Sequence, residues 1–178
     1  MISFKQQWCV LYTRPRFENK VAEELKSKGV SCLLPKTRVV REYKNQRRLV
    51  ELPLFPSYVF VCPESLNDYY LGLDLKGVSG YVKVGNEVAA VSKQIIDSLM
   101  MLDQKKCAVE LCTEDIAKGE VVMISEGPLT GLSGEMVEYK GKSKVVIRVN
   151  LLQSNVLIDI DTHKLKRMPG TFPFSKAS

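Results

Sequence analysis

The sequence predicts an α+β protein, in which an antiparallel sheet flanked by helices is followed by a connector and then by a small all-β barrel. Strand-like and helix-like periods alternate over the first part of the chain, a charged stretch lacks both periods, and short apolar runs between glycine-containing turns follow it. We therefore predict a first domain at 1–103, a linker at 104–117, a barrel at 118–168 and a flexible tail at 169–178.

The first domain begins with a predicted strand, a helix and a second strand. Residues 8–13 form an apolar, β-rich run that Pro15 ends. Apolar side chains then recur every three or four positions over residues 17–28, and Gly29 supplies a terminator, which together predict an amphipathic helix. A second strand is expected at 30–34.

A basic hairpin is predicted next. Residues 36–48 carry six cations and one acid, and their alternation predicts a twisted hairpin with its tip at 44–46. The segment 53–61 (PLFPSYVFV) contains two prolines, which favour a shaped turn before an apolar, aromatic strand.

The last elements of the first domain are a short helix or loop at 65–75, a strand at 80–84 and a helix capped by Ser92. The core-facing stripe of that helix consists of Ile95, Ile96, Leu99 and Met100. Beyond the linker, apolar alternation predicts the barrel strands at 120–124, 135–139, 144–152 and 155–160.

Positive charge is concentrated near the amino terminus. Residues 1–56 hold 12 Lys and Arg against five acids, whereas residues 57–115 hold five against nine. This asymmetry indicates an anionic partner, with nucleic acid as the first candidate. Charge alone does not separate this hypothesis from a solvated basic face.

The sequence carries no signature of an enzyme or of a bound metal. The single histidine, His163, has no partner for acid–base or metal chemistry nearby in the sequence, and no phosphate-binding loop motif is present. The glycines of 127–134 lack the helix that a nucleotide loop requires, so turn geometry explains them better. The odd number of cysteines predicts free thiols, and we assign no cofactor. No apolar run is long enough to cross a membrane, which favours a cytoplasmic location.

Aromatic side chains cluster in two predicted strands. They belong to Trp8, Tyr12, Phe55, Tyr58 and Phe60, and a period of two places Tyr58 and Phe60 on one face. Two interpretations are open, a buried core and an exposed patch for docking a protein.

The order of these blocks resembles the NusG family of transcription elongation factors. The similarity lies in 8–18 (WCVLYTRPRFE), the PLFPSYVFV block and 77–85 (GVSGYVKVG), which resemble the amino-terminal NGN domain of that family. Residues 120–135 (EVVMISEGPLTGLSGE) resemble the KOW motif that opens its SH3-like carboxy-terminal barrel. Together these blocks cover nearly the whole chain in family order.

The resemblance implies a non-enzymatic protein that grips the clamp helices of the largest subunit of RNA polymerase and suppresses pausing or termination. By motif position, the polymerase-binding residues are Tyr12, Phe55, Tyr58, Phe60 and Val84. The same resemblance places non-template DNA, upstream duplex or nascent RNA near a second set, formed by Arg14, Arg16, Lys20, Arg38, Arg41, Lys44, Arg47, Arg48, Tyr69 and Tyr70.

Within the family, 30–35 (VSCLLP) and the PLFPSY block resemble the specialised RfaH and UpxY antiterminators, which implies action at particular operons such as those for polysaccharide synthesis. The barrel has Leu151-Leu152-Gln153 where housekeeping members carry Phe-Gly-Arg, which weakens an implied contact with a ribosomal protein or termination factor. Strand alternation at 145–149 and 156–160 predicts a barrel that does not switch to helices. We expect a monomer. The rival hypotheses are a housekeeping NusG and a ribosome-associated RNA-binding KOW protein.

Overall fold

The computed structural model describes residues 6–44 and 46–169, and the chain divides into two units between Ile96 and Asp97. Most of the predicted tail therefore lies outside the described residues. The elements that begin in the first unit are, in chain order, β1 (Cys9–Thr13), α1 (Glu18–Ser27), β2 (Ser31–Leu33), β3 (Lys36–Tyr43), β4 (Gln46–Pro53), β5 (Tyr58–Cys62), α2 (Leu66–Asp74), β6 (Val78–Tyr81), β7 (Lys83–Val84), β8 (Glu87–Val88) and α3 (Lys93–Lys105).

A four-stranded antiparallel sheet forms the centre of the first unit, with the strand order β2-β5-β1-β6. One face of this sheet presents Leu11 and Val59 to α1, whose Val21 and Leu25 are fully buried in the same cluster. The apolar side chains whose spacing predicted α1 from the sequence therefore include the ones that α1 buries against the sheet.

Two features at helix starts match the sequence prediction for this unit. Residues 65–75, predicted as a short helix or loop, contain α2, because the Ser65 hydroxyl accepts from the Asp68 amide and the Asp68 carboxylate accepts from the Ser65 amide. The hydroxyl of Ser92 accepts from the amide of Ile95 at 3.4 Å, as expected for the cap of α3.

A six-stranded antiparallel sheet forms the second unit, with the order β14-β10-β11-β12-β13-β9. Its strands are β9 (Val109–Cys112), β10 (Glu120–Ile124), β11 (Ser133–Tyr139), β12 (Lys142–Val149), β13 (Ser154–Asp159) and β14 (Leu165–Arg167). Val145 and Ile147 are buried on one face of the sheet, and Val146 and Leu157 are buried on the other. The α+β fold class predicted from the sequence is confirmed.

Strand β9 corrects the predicted linker at 104–117. Its residues pair with β13 from Cys112↔Asn155 to Val109↔Ile158, and Cys112 and Ile116 are buried against the sheet. The side-chain amide of Asn155 also donates to the carbonyl of Glu114 at 2.9 Å. The charged segment is therefore largely an edge of the second unit. The strand at β14 was also absent from the prediction.

Candidate functional site

Two tyrosines meet on the face of the first sheet that lies opposite α1. The antiparallel register of β1 and β5 sets Tyr12 directly across from Tyr58, and their ring centroids are 5.5 Å apart at an interplanar angle of 48°. Tyr12 is 46% exposed and Tyr58 is half-buried. The two rings form an accessible aromatic surface, which we call the tyrosine pair.

A glycine on the neighbouring strand leaves the flank of Tyr12 uncovered. The other neighbour of β1 is β6, and its register places Gly80 opposite Tyr12. No other atoms lie within 4 Å of the position that a Cβ would take at Gly80. The exposure of Tyr12 thus has a local cause, the absence of a side chain at the adjacent position of the sheet.

The two phenylalanines predicted beside these tyrosines are interior residues. Phe55 is 2% exposed and Phe60 is fully buried, and their rings pack edge to face with centroids 5.6 Å apart. The expectation that all four aromatics line an open surface is therefore corrected for this pair, because the turn at 54–57 folds Phe55 inward. The buried-core interpretation therefore holds for Phe55 and Phe60, whereas Tyr12 and Tyr58 are accessible.

Glu18 fixes the turn that leads into the tyrosine pair, a role that sequence reasoning missed. Its buried carboxylate accepts a hydrogen bond of 2.7 Å from the backbone amide of Ser57. Ser57 has a φ of 67°, a left-handed conformation that is costly for a residue with a side chain. The amide of Thr13 in turn donates to the Ser57 carbonyl at 2.8 Å. No sequence signal links Glu18 to a turn that lies so far along the chain.

Val84, the fifth predicted polymerase contact, lies in the short β7–β8 hairpin that follows β6. It is 67% exposed and its register partner is Glu87. The chain therefore carries an accessible apolar side chain just after β6, the strand that flanks Tyr12.

The predicted basic residues at the start of α1 are all exposed. Arg14 and Arg16 occupy the turn after β1, where the Arg14 amide donates to the Gly77 carbonyl at 2.8 Å and Arg16 has a φ of 71°. Lys20 lies in the first turns of α1. The turn and the helix start thus present three cations within seven residues of sequence.

The hairpin predicted from the sequence is formed by β3 and β4, which pair over eight positions from Lys36↔Pro53 to Tyr43↔Gln46. The six predicted cations of this segment are exposed, and they are Lys36, Arg38, Arg41, Lys44, Arg47 and Arg48. Arg38 and Arg47 form ion pairs with Glu51 and Glu42, at 3.0 and 2.8 Å. The six cations therefore differ in the charge that they present to a partner, because carboxylates already neutralise Arg38 and Arg47.

The two tyrosines predicted to stack on bases differ in accessibility. Tyr69 stacks on Tyr81 with centroids 4.5 Å apart and planes 5° apart, and its carbonyl accepts from the Tyr81 hydroxyl at 3.1 Å. Burial raises the pKa of Tyr81 above its usual value. Tyr70 is 59% exposed, so of the two only Tyr70 offers an open ring to a base.

Ion pairs on one face of the second sheet hold β9 in place. The Lys144 ammonium, buried near the strand ends, lies 2.9 Å from Glu110 and 3.3 Å from Asp159. The hydrogen bond from Lys144 lowers the pKa of Glu110.

The turn after β12, which contains Leu151 and Leu152, ends at Gln153 in a left-handed conformation with a φ of 47°.

The cysteines are free thiols, and burial raises the pKa of Cys9 to about 11. Over residues 6–44 and 46–169, no group of three or more His, Cys, Asp or Glu side chains could hold a metal ion. Within the same ranges, no helix has the length and apolar character needed to span a membrane.

Comparison with known proteins identifies relatives over nearly the whole length. Residues 6–100 match the family model described as transcription termination factor nusG. The transcription termination/antitermination protein NusG of Streptococcus pyogenes is 24% identical, over 93% of this chain and 98% of its own. The protein of the same description from Vibrio vulnificus is 26% identical, over 92% and 97% respectively.

Among solved structures, NusG of Thermotoga maritima aligns over 92% of this chain and 98% of its own, with a TM-score of 0.51 and 20% identity. That likeness concerns the fold alone. The family match spans more than half of the chain and contains the tyrosine pair, the basic turn and the hairpin. The chain is thus a member of the NusG family of transcription termination/antitermination factors.

Proposed function

We propose that this chain binds RNA polymerase through the tyrosine pair and Val84, and that it acts as an elongation and antitermination factor. The observation that carries the proposal is the exposure of Tyr12 beside Tyr58, on a sheet whose other central side chains are buried. Accessible aromatic side chains are favoured at the centre of protein interfaces. The partner surface that fits is the pair of clamp helices of the largest polymerase subunit.

Binding at this surface acts on the polymerase through its conformational equilibrium. A ligand that binds the closed, elongating conformation more tightly than the paused one shifts the population toward elongation. No catalytic group is needed for such an effect. The chain is therefore proposed to work as a monomeric, non-enzymatic factor in the cytoplasm, with no cofactor.

Nucleic acid provides the second contact. Arg14, Arg16 and Lys20 are placed to attract the phosphates of the displaced non-template strand, and Tyr70 offers a ring on which a base can stack. The basic hairpin is proposed to lie near upstream duplex or nascent RNA. Such contacts give the factor a means of preferring particular sequences, as specialised members that serve individual operons require.

We further propose that the chain belongs to the RfaH and UpxY branch and serves specific operons, such as those for polysaccharide synthesis. The PLFPSY block and the Leu151-Leu152-Gln153 turn support this assignment over a housekeeping role. The altered turn also implies that contacts of the KOW barrel with a ribosomal protein or termination factor differ from those of housekeeping NusG.

Capture of purified core RNA polymerase, without nucleic acid, tests the polymerase contact. Native protein is expected to bind, and a Tyr12→Ala/Tyr58→Ala variant is expected to lose at least about tenfold in affinity, as for residues at the centre of an interface. Tyr70→Ala is the matched control, since it removes an exposed tyrosine elsewhere. Equal affinity of all three proteins would contradict the proposal, as would binding to purified ribosomal subunits in a parallel capture without binding to polymerase.

Transcription on templates with different leader sequences tests the operon-specific role. Run-off past a pause or terminator is expected to rise only on templates that carry the recruiting leader. Arg16→Ala should lower crosslinking to the non-template strand while polymerase capture stays unchanged. An equal effect on every template would favour a housekeeping factor, and equal loss of both contacts in Arg16→Ala would refute the division of roles.

A further inference from the structure

The β3–β4 register divides the hairpin into two faces with different charge. Side chains alternate between the faces, and directly paired residues share one. The first face, which we call the paired face, contains Lys36, Arg38, Val40, Glu42, Arg47, Leu49, Glu51 and Pro53. The second face, which we call the arginine face, contains Thr37, Val39, Arg41, Gln46, Arg48, Val50 and Leu52.

Both arginines of the paired face are already engaged by carboxylates. Nε and Nη2 of Arg38 donate to the same oxygen of Glu51 at 3.1 and 3.0 Å, and Nε of Arg47 donates to Glu42 at 2.8 Å. A phosphate approaching this face has to displace a carboxylate from each guanidinium. Such exposed pairs add little stability, but they cancel most of the charge that the face presents.

The arginine face has two like charges and no carboxylate. Arg41 lies directly opposite Arg48, and the other residues of the face are neutral. Arg48 donates to the amide oxygen of Gln46 at 3.2 Å, and in the described part of the chain neither arginine forms an ion pair. Like charges directly opposite each other destabilise a strand pair. A bound polyanion between them would remove that repulsion.

We infer that the arginine face, with Lys44 at the hairpin tip, is the surface of the hairpin that binds the phosphate backbone of nucleic acid. This inference rests on the proposed function and narrows it to one face. Guanidinium groups match phosphate geometrically, because two parallel N–H donors can meet two oxygens. The paired face, whose exposed apolar residues Val40 and Leu49 lie between the two ion pairs, takes no direct part.

Two charge-matched double variants of the full chain test the inference. Arg41→Gln/Arg48→Gln removes both cations of the arginine face, and Arg38→Gln/Arg47→Gln removes two from the paired face. Fluorescence anisotropy with labelled duplex DNA, single-stranded DNA and single-stranded RNA, over a series of salt concentrations, measures affinity and its salt dependence. Thermal unfolding of both variants checks that they fold.

The first variant is expected to bind its preferred nucleic acid about tenfold more weakly at 0.1 M salt, and to lose about 0.7–0.9 from the slope of log affinity against log salt for each phosphate contact removed. The second is expected to keep the native slope. The three probes distinguish duplex from single-stranded DNA and RNA as the source of the phosphates.

Equal losses in the two variants, or loss only in the second, would overturn the inference, as would the absence of any binding by the native chain at low salt. Polymerase capture, measured in parallel, separates this result from the proposed function. A native chain that fails to capture polymerase but shows the expected difference between variants refutes the proposed function and leaves the phosphate surface intact. The reverse outcome refutes the phosphate surface alone.

Discussion

The carboxylate of Glu18 and the backbone amide of Ser57 are joined by a hydrogen bond of 2.7 Å between positions 39 residues apart in the chain. Ser57 precedes Tyr58, so this part-buried contact ties the start of α1 to one half of the tyrosine pair. The bond also compensates for the left-handed backbone of Ser57. Glu18 is therefore a positioning residue for the proposed polymerase contact.

Glu18→Ala is expected to lower the free energy of unfolding by about 1–3 kcal/mol, because it leaves a part-buried amide without its acceptor. Polymerase affinity should fall with it, since the turn before Tyr58 loses its anchor. Glu18→Gln keeps an acceptor oxygen and serves as the control. Denaturant unfolding and polymerase capture measure the two effects. Unchanged polymerase affinity in a folded Glu18→Ala protein would show that the bond is structural only.

Phe60→Ala and Tyr58→Ala should separate stability from binding. Phe60 is fully buried, so its truncation is expected to cost about 3–5 kcal/mol of unfolding free energy. Tyr58 is half-buried, and its truncation should mainly weaken polymerase binding. Unfolding curves and capture assays on the same preparations test this difference. Similar stability losses in both variants would contradict the assignment of Phe60 to the interior and Tyr58 to the surface.

Gly77→Ala and Gly29→Ala are expected to differ, although both glycines have a positive φ, 94° and 79°. A Cβ at Gly77 would overlap the side chain of Phe17, whereas nothing lies within 4 Å at Gly29. Gly29→Ala should cost about 1 kcal/mol from backbone strain, and Gly77→Ala about 1–3 kcal/mol more from the overlap. Denaturant midpoints measure both. Equal losses would show that Phe17 moves aside freely.

Stability of the second unit should fall in acid because of Glu110. The hydrogen bond from Lys144 lowers the pKa of Glu110 from its usual value of 4.5. A carboxyl group whose pKa is lower in the folded chain stabilises the fold above its unfolded pKa, and this contribution is lost as the pH falls through the folded value. Glu110→Gln should therefore lower stability at neutral pH and reduce its decline below about pH 4.5. Unfolding measured from pH 7 to pH 3 tests this, with Glu126→Gln, in an exposed turn, as the control. An unchanged acid profile in Glu110→Gln would rule out the contribution.

The sequence predicted those elements whose pattern is local. The period of Val21 and Leu25 predicted α1, and the alternation of the basic segment predicted the β3–β4 hairpin. The cap at Ser92 and the apolar stripe that follows it predicted α3. Strand β9 was missed because its four residues lie in a charged segment, and its pairing with β13 joins positions far apart in the sequence. Long-range pairing leaves no local signature.

The candidate site was predicted only in part, because the residues that decide which aromatic rings are exposed lie far from Tyr58 in the sequence. Period-two alternation placed Tyr58 and Phe60 on one face but did not distinguish the exposed ring from the buried one. That distinction depends on Gly80 in a neighbouring strand and on the turn held by Glu18, neither of which the residues around Tyr58 reveal.

The tyrosine pair is accessible on the sheet, whereas the neighbouring phenylalanines belong to the core, so surface and core can change independently. Tyr12 is accessible while Phe55 and Phe60 fill the core, so substitution at Tyr12 alters the proposed docking surface without repacking the domain. Under the proposed function, one or two codon changes at this surface are enough to change the affinity for polymerase. Each such substitution is expected to change the free energy of unfolding little, because Tyr12 is exposed, so the fold is kept while the surface changes.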